Sequence, residues 1–241
     1  MTDGAPLDAG AGGPARLAVV FLAGVYEEPA YHRGWAAAAD LVVAADGGAR
    51  FLLDAGVLPD LAVGDFDSLS PEGVAGLEAA GVELVRHPVR KDQTDGELAV
   101  EEARRRGAGE LVLAGGIGAL DHTLGHLAVL RRQEAAGVPA RLVAPRLTVR
   151  VAAAPAEVVL DAPPGVRVSL VPLGTDAVVT LTGLSYPLVR GTLPADACLG
   201  LGNSVARRGA GIRVHEGVVA VLVETGTETF GRCRPWRAAA G

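Results

Sequence analysis

Short apolar segments alternate with helix-like segments through the first 145 residues, and this alternation constrains the fold more than any other feature. Segments rich in alanine, leucine and charged residues separate the apolar runs and are predicted to be helices. Strands that are apolar on both faces and are joined by helices are typical of a parallel sheet covered on both sides. The sequence therefore predicts an α/β N-terminal part of the Rossmann-like class. The predicted strands are 17–24, 41–45, 60–63, 82–86, 110–114 and 141–144.

After Pro145 the pattern changes to short strands separated by glycine and proline turns, with no clear helix between them. This pattern predicts an all-β C-terminal domain, a small sandwich. The predicted strands are 147–151, 157–160, 167–172, 177–181 and 218–223. The expected organisation is a disordered tail at 1–15, an α/β domain at 16–146, a β-sandwich at 147–230 and a tail at 231–241.

Composition excludes some classes of partner. The formal net charge is −6 and no basic stripe occurs, which argues against a nucleic-acid partner bound through its phosphates. The early apolar run 17–25 is too short to span a bilayer, so no membrane association is expected. Cys198 and Cys233 do not have a metal-binding spacing and are expected to be ordinary thiols of a reducing compartment. These observations predict a cytoplasmic protein.

Two acidic loops follow predicted strands. Asp65 and Asp67 come directly after the strand at 60–63, and Asp92 and Asp95 follow the strand at 82–86. If the backbone at Phe66 is extended, the first pair of carboxylates points to one side. The carboxyl ends of parallel strands meet at one edge of the sheet, where such carboxylates would repel one another unless a cation lies between them. Oxygen ligands of this kind suit Mg²⁺, although each motif alone could also be a turn or a helix cap.

Other residues near these loops favour a phosphate ligand. Lys91 is the only lysine of the chain and precedes the second acidic loop, where Thr94 or Asp95 is predicted to cap a helix at 95–106. Glycines after two strands would let the backbone approach an anion at a helix N-terminus, although no P-loop pattern occurs. These glycines are Gly47, Gly48, Gly115, Gly116 and Gly118.

One of the glycine-rich loops is followed by Asp121 and His122. His126 lies one helical turn further along, where its ring can lie beside that of His122. A zinc site formed by the two histidines is a weaker alternative, because no third ligand is nearby in the sequence.

Taken together, these motifs resemble those of the thiamine pyrophosphokinase family, in order and spacing, from about residue 17 to residue 225. The N-terminal motifs are Asp46-Gly47-Gly48, Gly64-Asp65-Phe66-Asp67-Ser68, Lys91-Asp92-Gln93-Thr94-Asp95-Gly96-Glu97 and Gly118-Ala119-Leu120-Asp121-His122. The C-terminal motifs are Gly183-Leu184-Ser185-Tyr186-Pro187-Leu188 and Gly202-Asn203-Ser204.

The resemblance implies transfer of a diphosphate group from ATP to the hydroxyl of thiamine, with release of AMP. It also implies Mg²⁺, an ATP-binding N-terminal domain, a thiamine-binding sandwich, and a homodimer with the active site near the subunit interface. By this resemblance, Asp65, Asp67 and Asp92 bind the metal and act in catalysis together with Lys91. ATP would contact Asp46, Gly47, Gly48, Thr94, Asp95, Gly116, Gly118, Asp121 and His122, and thiamine would contact Tyr186, Asn203 and Ser204.

Two alternatives remain open from the sequence. The same diphosphate transfer could act on another alcohol, such as a pterin-type one. The chain could instead be a non-catalytic nucleotide- or thiamine-binding regulator, which is favoured by Ala119 at a position where family members commonly have an arginine.

Overall fold

The computed structural model describes residues 15–224. The predicted tails at 1–15 and 231–241 lie outside these residues, apart from residue 15, as do Cys233 and the last residues of the predicted sandwich domain. The N-terminal part alternates strands and helices as the sequence predicts. Its elements are β1 (Arg16–Phe21), α1 (Pro29–Ala38), β2 (Leu41–Ala45), α2 (Gly47–Asp54), β3 (Leu61–Gly64), α3 (Pro71–Ala79), β4 (Glu83–Arg86), α4 (Asp95–Arg105), β5 (Ala108–Ala114), α5 (Leu120–Ala135) and β6 (Ala140–Ala144).

The six strands form a parallel sheet in the order β6-β5-β1-β2-β3-β4. The chain builds outward from β1 to β4, then returns to place β5 on the other side of β1. Loops after β1 and β5 therefore diverge at the point where strand order reverses, which is where open α/β sheets commonly bind ligands. The α/β class is confirmed.

Alternate residues of the strands face two different helix layers, because successive side chains point to opposite faces. One face, which includes Val19 and Val112, packs against Trp35 of α1, Leu52 of α2 and Leu77 of α3. The other face packs against α4 and α5 through Leu98, Val100, Val129 and Leu130. Burial on both faces explains why these strands read as continuous apolar runs.

The C-terminal part is all β, and four of its strands extend the same sheet. Its elements are β7 (Leu147–Ala153), β8 (Ala156–Leu160), β9 (Arg167–Pro172), β10 (Ala177–Thr182), β11 (Leu188–Leu193), β12 (Asn203–Ser204), β13 (Ala210–Glu216) and β14 (Val218–Val223). β7 pairs antiparallel with β6, and the complete order is β12-β9-β14-β7-β6-β5-β1-β2-β3-β4. Hydrogen bonding therefore continues across the predicted boundary at 146/147.

The remaining strands form a second sheet in the order β11-β10-β13-β8. A separate apolar cluster joins the two sheets, with Val179 and Ile212 from the small sheet and Leu170 and Val221 from the large one. Two sheets packed over a shared core have the layer arrangement of a sandwich. The sequence did not predict β11, β12 or β13. Within residues 15–224 no helix is long and apolar enough to cross a membrane.

His32 is buried on α1 among aromatic side chains. Its ring meets those of Tyr26, Tyr31 and Phe51 edge-on, at centroid distances of 4.9, 5.1 and 5.7 Å. Burial lowers the pKa of His32 to about 4, against a weaker opposing contribution from the backbone of Glu27. The folded protein therefore keeps this imidazole neutral at pH values where the unfolded chain protonates it.

We expect the free energy of unfolding to fall as the pH drops from about 6.5 to about 4, by up to about 3 kcal/mol from His32 alone. The sign follows because the unfolded state binds the extra proton in this range. His32→Phe should remove this part of the pH dependence, measured by urea unfolding at both ends of the range. His215→Phe, on the small sheet, is the control; an unchanged pH dependence in His32→Phe would contradict the assignment.

Candidate active site

Three carboxylates from two neighbouring loops converge at the carboxyl edge of the parallel sheet. Asp46 follows β2, and Asp65 and Asp67 follow β3. One oxygen from each lies within 4.8 Å of the other two. The Asp46 N–H donates to Val63 O at 3.0 Å, so the chain beyond β2 stays against β3. Ser68 Oγ donates to Asp46 Oδ1 at 2.8 Å and connects the two loops from the other side.

The backbone that brings Asp65 and Asp67 together is a turn, so the predicted extended conformation at Phe66 is wrong. β3 ends at Gly64, and Phe66 has a left-handed φ of 63°. The Asp67 N–H donates to Asp65 Oδ1 at 3.2 Å. An aspartate side chain at the start of such a turn commonly accepts this hydrogen bond. The Phe66 ring is buried while the Asp67 side chain is exposed. Burial of the ring offsets the cost of a left-handed aromatic residue.

Lys91 joins a fourth carboxylate to this group. Its Nζ lies 3.3 Å from Asp65 Oδ2 and 3.0 Å from Asp95 Oδ1, and its side chain is only 14% exposed. Burial works against the charge of Lys91, but Asp95 and Asp65 outweigh it, so the pKa of Lys91 is raised. The ammonium therefore stays charged and neutralises part of the acidic group.

The two carboxylates of the β3 loop have opposite electrostatic environments. The backbone N–H of Asp67 lowers the pKa of Asp65, and Lys91 adds to this effect against partial burial. Repulsion from Asp65, and then from Asp46, raises the pKa of Asp67. Asp67 thus faces uncompensated negative charge, and a divalent cation among these oxygens would relieve it. The donor set fits Mg²⁺, because all of its members are oxygens of carboxylates.

Asp92 lies outside this group. Among the described residues, the carboxylates that could share one ion are those of Asp46, Asp65 and Asp67, and Asp92 is exposed. Thr94 is the N-cap of α4: its Oγ1 accepts from Glu97 N at 3.2 Å, and Glu97 Oε2 accepts from Thr94 N at 3.1 Å. The reciprocal cap leaves Asp95 in the first turn, where it turns to Lys91. The structure therefore brings Asp95 to the acidic group, whereas Asp92 is not part of that group.

The predicted glycine contacts lie at the starts of two helices. α2 begins at Gly47 directly after Asp46, and α5 begins at Leu120 after Ala119; neither helix has a side-chain cap. α1 also lacks one, whereas α3 and α4 are capped by Ser70 and Thr94. Uncapped amide groups at a helix N-terminus suit an anion. The start of α2 therefore remains available for phosphate oxygens.

Contacts in the loop between β5 and α5 define its shape. The Gly118 N–H donates to Thr123 Oγ1 at 3.2 Å, and the His122 N–H donates to the side chain of Asp121 at 2.8 Å. Asp121 and His122 are exposed. The rings of His122 and His126 meet edge-on with centroids 6.4 Å apart. The Gly118 amide is therefore engaged within the loop, and the side chains of Asp121 and His122 face solvent.

Gly48 shows how closely α2 approaches β1. A Cβ at Gly48 would lie 2.0 Å from Phe21 O, whereas a Cβ at Gly76 of α3 would meet nothing within 4 Å. We expect Gly48→Ala to lower the free energy of unfolding by about 1–3 kcal/mol, because backbone must move. Gly76→Ala should raise it by about 0.5–1 kcal/mol through helix propensity. Chemical denaturation of both variants measures the difference, and equal effects would contradict the close approach.

The predicted thiamine contacts lie far from the acidic group within one chain. Asn203 and Ser204 form β12, at the opposite end of the large sheet from β4. β12 and β3 are eight strand spacings apart, which is on the order of 40 Å at the usual spacing. Asn203 is buried, and its amide pairs with the backbone of Tyr186 at 3.0 and 2.8 Å. This pairing holds the loop that carries Tyr186, whose side chain is 71% exposed.

Sequence reasoning missed two residues of this region. It assigned Asp46 to ATP and not to the acidic group, although Asp46 follows its strand as directly as Asp65 follows the next one. It gave His126 only a possible stacking role, yet His126 Nδ1 lies 2.8 Å from Gly116 O. The role of Asp46 could have been found from its position, which matches that of Asp65 after the adjacent strand. The role of His126 depends on a tertiary contact that the sequence does not show.

Comparison with known proteins agrees with this geometry. The family model for the catalytic domain of thiamin pyrophosphokinase matches residues 32–142. A thiamine pyrophosphokinase of Bacillus subtilis (strain 168) is 28% identical over 219 residues, which cover 89% of this chain and 96% of the relative. The crystal structure of a thiamine pyrophosphokinase from Bacillus subtilis superposes with a TM-score of 0.76 at 25% identity, over 88% of this chain and 100% of the other. The chain is therefore similar to thiamine pyrophosphokinases in sequence and in fold over most of its length.

A second solved structure extends the likeness. The thiamin pyrophosphokinase family protein of Enterococcus faecalis is 26% identical, with a TM-score of 0.71, over 88% of this chain and 100% of that one. The segment matched by the thiamine pyrophosphokinase model runs from α1 to β6. It therefore contains the acidic group, Lys91 and the glycine-rich loops.

Proposed function

We propose that this protein transfers the terminal diphosphate of ATP to the hydroxyl of thiamine, giving thiamine diphosphate and AMP. The observation that carries the proposal is the convergence of Asp46, Asp65 and Asp67 with the Lys91–Asp95 ion pair, inside the segment matched by the family model. A cluster of like charges is costly unless it serves a cation and a polyanion. The similarity to thiamine pyrophosphokinases supports ATP as the polyanion and thiamine as the alcohol.

Asp46, Asp65 and Asp67 would hold the magnesium ion. When bound, Mg²⁺ supplies positive charge to the phosphate oxygens of ATP and to the charge that develops during transfer. The uncapped start of α2 at Gly47 supports phosphate binding beside these acids. The missing side chain of Gly48 brings this helix start close to β1. Lys91 would neutralise a further negative charge at the same place.

Transfer of this type depends mainly on positioning and charge neutralisation. We assign a carboxylate, Asp67 or Asp92, to orient the thiamine hydroxyl and accept its proton. Both side chains are exposed, so either can meet an incoming alcohol. Asp65, with its lowered pKa and its ion pair to Lys91, is the better fixed anion.

The distance between the acidic group and Tyr186 supports a homodimer in which each active site uses two chains. Within one chain the two groups stand at opposite ends of the ten-stranded sheet. The C-terminal part also exposes the apolar side chains of Val189, Leu199 and Leu201, which suits a surface covered by a second copy. In this arrangement Tyr186 stacks on thiamine that lies on the acidic group of the partner.

The same proposal includes the finer expectations about the protein. It comprises a Rossmann-like ATP-binding domain at 16–146, a thiamine-binding sandwich at 147–230 and a cytoplasmic location. Thr94, Gly116, Gly118, Asp121 and His122 remain proposed ATP contacts. Thr94 and Gly118 are proposed to lie beside ATP without donating hydrogen bonds to it. The Thr94 hydroxyl and the Gly118 amide already have partners in the chain.

Incubation with ATP, thiamine and Mg²⁺, followed by chromatography of the nucleotides, tests the proposal. Equal amounts of AMP and thiamine diphosphate are expected. Formation of ADP would contradict diphosphate transfer, and AMP with hydroxymethylpterin but not with thiamine would favour the pterin-type alternative. Binding of thiamine without AMP formation would favour the regulator.

A further inference from the structure

His126 lies between the glycine-rich loop that follows β5 and the first turn of α4. Its Nδ1 is 2.8 Å from Gly116 O. On its other side, Nε2 would be 3.8 Å from a Cβ placed on Gly96, the second residue of α4. The imidazole therefore binds the glycine-rich loop and faces the start of α4 across the space that a side chain on Gly96 would occupy.

The hydrogen bond fixes the tautomer of His126. A carbonyl oxygen only accepts, so the proton is on Nδ1 and Nδ1–H donates to Gly116 O. Burial lowers the pKa of His126, against the bond to Gly116, and His122 adds to the lowering. The ring is neutral at pH 7, and its Nε2 carries a lone pair on the side of α4.

Gly116 is packed so tightly that no side chain would fit at its position. A Cβ on this residue would lie 2.5 Å from a methyl of Leu142, 2.8 Å from a methyl of Leu22 and 2.9 Å from His126 Nδ1. The backbone of Gly116 therefore packs directly on the imidazole. Two residues further on, Thr123 Oγ1 accepts from Gly118 N and donates to Ala119 O at 3.0 Å. Side chains of α5 thus hold the loop at two points, and only His126 also reaches α4.

The first turn of α4 carries the residues that connect to the acidic group. Asp95 is the first residue of the helix and pairs with Lys91, which also pairs with Asp65. A second contact between α5 and α4 comes from Arg132, whose guanidinium lies 2.9 Å from Glu97 Oε1. That ion pair is more exposed and lies nearly two turns further along α5, away from the glycine-rich loop.

We propose that His126 is a positioning residue that sets the distance between the glycine-rich phosphate loop and the Lys91–Asp95 pair, and thereby the fit of the ATP triphosphate. The inference rests on the proposed function, since it concerns how the phosphate donor is held. His126 does not touch the reacting atoms in this role; it acts through the backbone of Gly116 and the start of α4.

Two substitutions at His126 test the assignment. His126→Leu removes the donor and fills a similar volume, whereas His126→Asn keeps a donor close to the position of Nδ1. We expect His126→Leu to raise the KM for ATP about tenfold, the effect of one lost hydrogen bond of ordinary strength, and to leave the KM for thiamine within about twofold. His126→Asn should recover most of the loss. His215→Leu, which removes a hydrogen-bonded ring from β13, is the matched control and should leave both constants unchanged.

Amide hydrogen exchange of the ligand-free protein supplies a readout that does not depend on the reaction. Exchange in residues 115–119 and 94–97 should become faster in His126→Leu and not in His126→Asn or His215→Leu. Unchanged exchange in His126→Leu, or an equal loss for ATP and thiamine that asparagine does not rescue, would overturn the positioning role. Failure of the wild-type protein to form AMP would instead overturn the proposed function while the exchange result still decides the contact.

Discussion

Asp67→Asn is expected to lower turnover by at least about 100-fold, the usual effect of removing one preorganised charged group from a transition state. The substitution keeps the shape of the side chain and removes the carboxylate whose pKa is raised by Asp65 and Asp46. Because the folded protein disfavours the charged form of Asp67, its loss relieves repulsion. The melting temperature should therefore stay the same or rise while activity is lost. Steady-state AMP formation and thermal unfolding of the same preparation measure both effects.

Asp95→Asn is a useful companion to this variant. It leaves Lys91 with one carboxylate in place of two, so it should lower both turnover and stability. The two variants should therefore change stability in opposite directions. This separates the two roles, because Asp67 is repelled by its neighbours whereas Asp95 is paired with Lys91. Near-native turnover in a folded Asp67→Asn protein would contradict the proposed metal site.

Mixing two inactive variants is expected to restore about a quarter of wild-type turnover, if each site uses two chains. Asp67→Asn removes the acidic half of a site, and Tyr186→Ala removes the thiamine half. In a random mixture of dimers, half are heterodimers, and each of these has one site built from two intact halves. The proteins should be unfolded and refolded together, and AMP formation measured against the separately refolded variants.

A matched mixture controls for refolding and for incomplete inactivation. Asp67→Asn with Lys91→Met places both defects in the same half, so no heterodimer contains an intact site and no recovery is expected. Recovery in this control, or none in the mixture with Tyr186→Ala, would contradict a site shared between subunits. If the mixture with Tyr186→Ala shows no recovery, Tyr186 does not belong to the active site, because it lies too far from the acids of its own chain to contact the same substrate.

The parallel sheet was predictable because its cause is local. Strands such as β2 and β5 are apolar on both faces and are followed by glycine or aspartate, so each reads as buried without knowledge of its neighbours. The location of the acidic residues at the carboxyl edge of the sheet was predictable for the same reason, since polar residues come directly after these strands. The helix start capped by Thr94 was also placed closely.

The remaining features depend on contacts between distant residues. The change of pattern at Pro145 predicted a boundary, yet β7 pairs with β6, because periodicity does not specify the partner of an edge strand. β11 was missed because all of its residues except the last are half-buried or exposed, which weakens the alternation that marks a strand. The left-handed turn at Phe66 arises from burial of its ring, and the choice of Asp95 over Asp92 arises from the Thr94 cap.

Titration of divalent cation into the ligand-free protein tests the acidic group most directly. Calorimetry with Mg²⁺, or paramagnetic resonance with Mn²⁺, should show affinity lowered by about tenfold or more in Asp67→Asn, since one charged ligand is lost. Asp92→Asn, which removes a nearby carboxylate outside the group, should bind within about twofold of the wild-type protein. Equal losses in both variants, or unchanged binding in Asp67→Asn, would contradict a cation site formed by Asp46, Asp65 and Asp67.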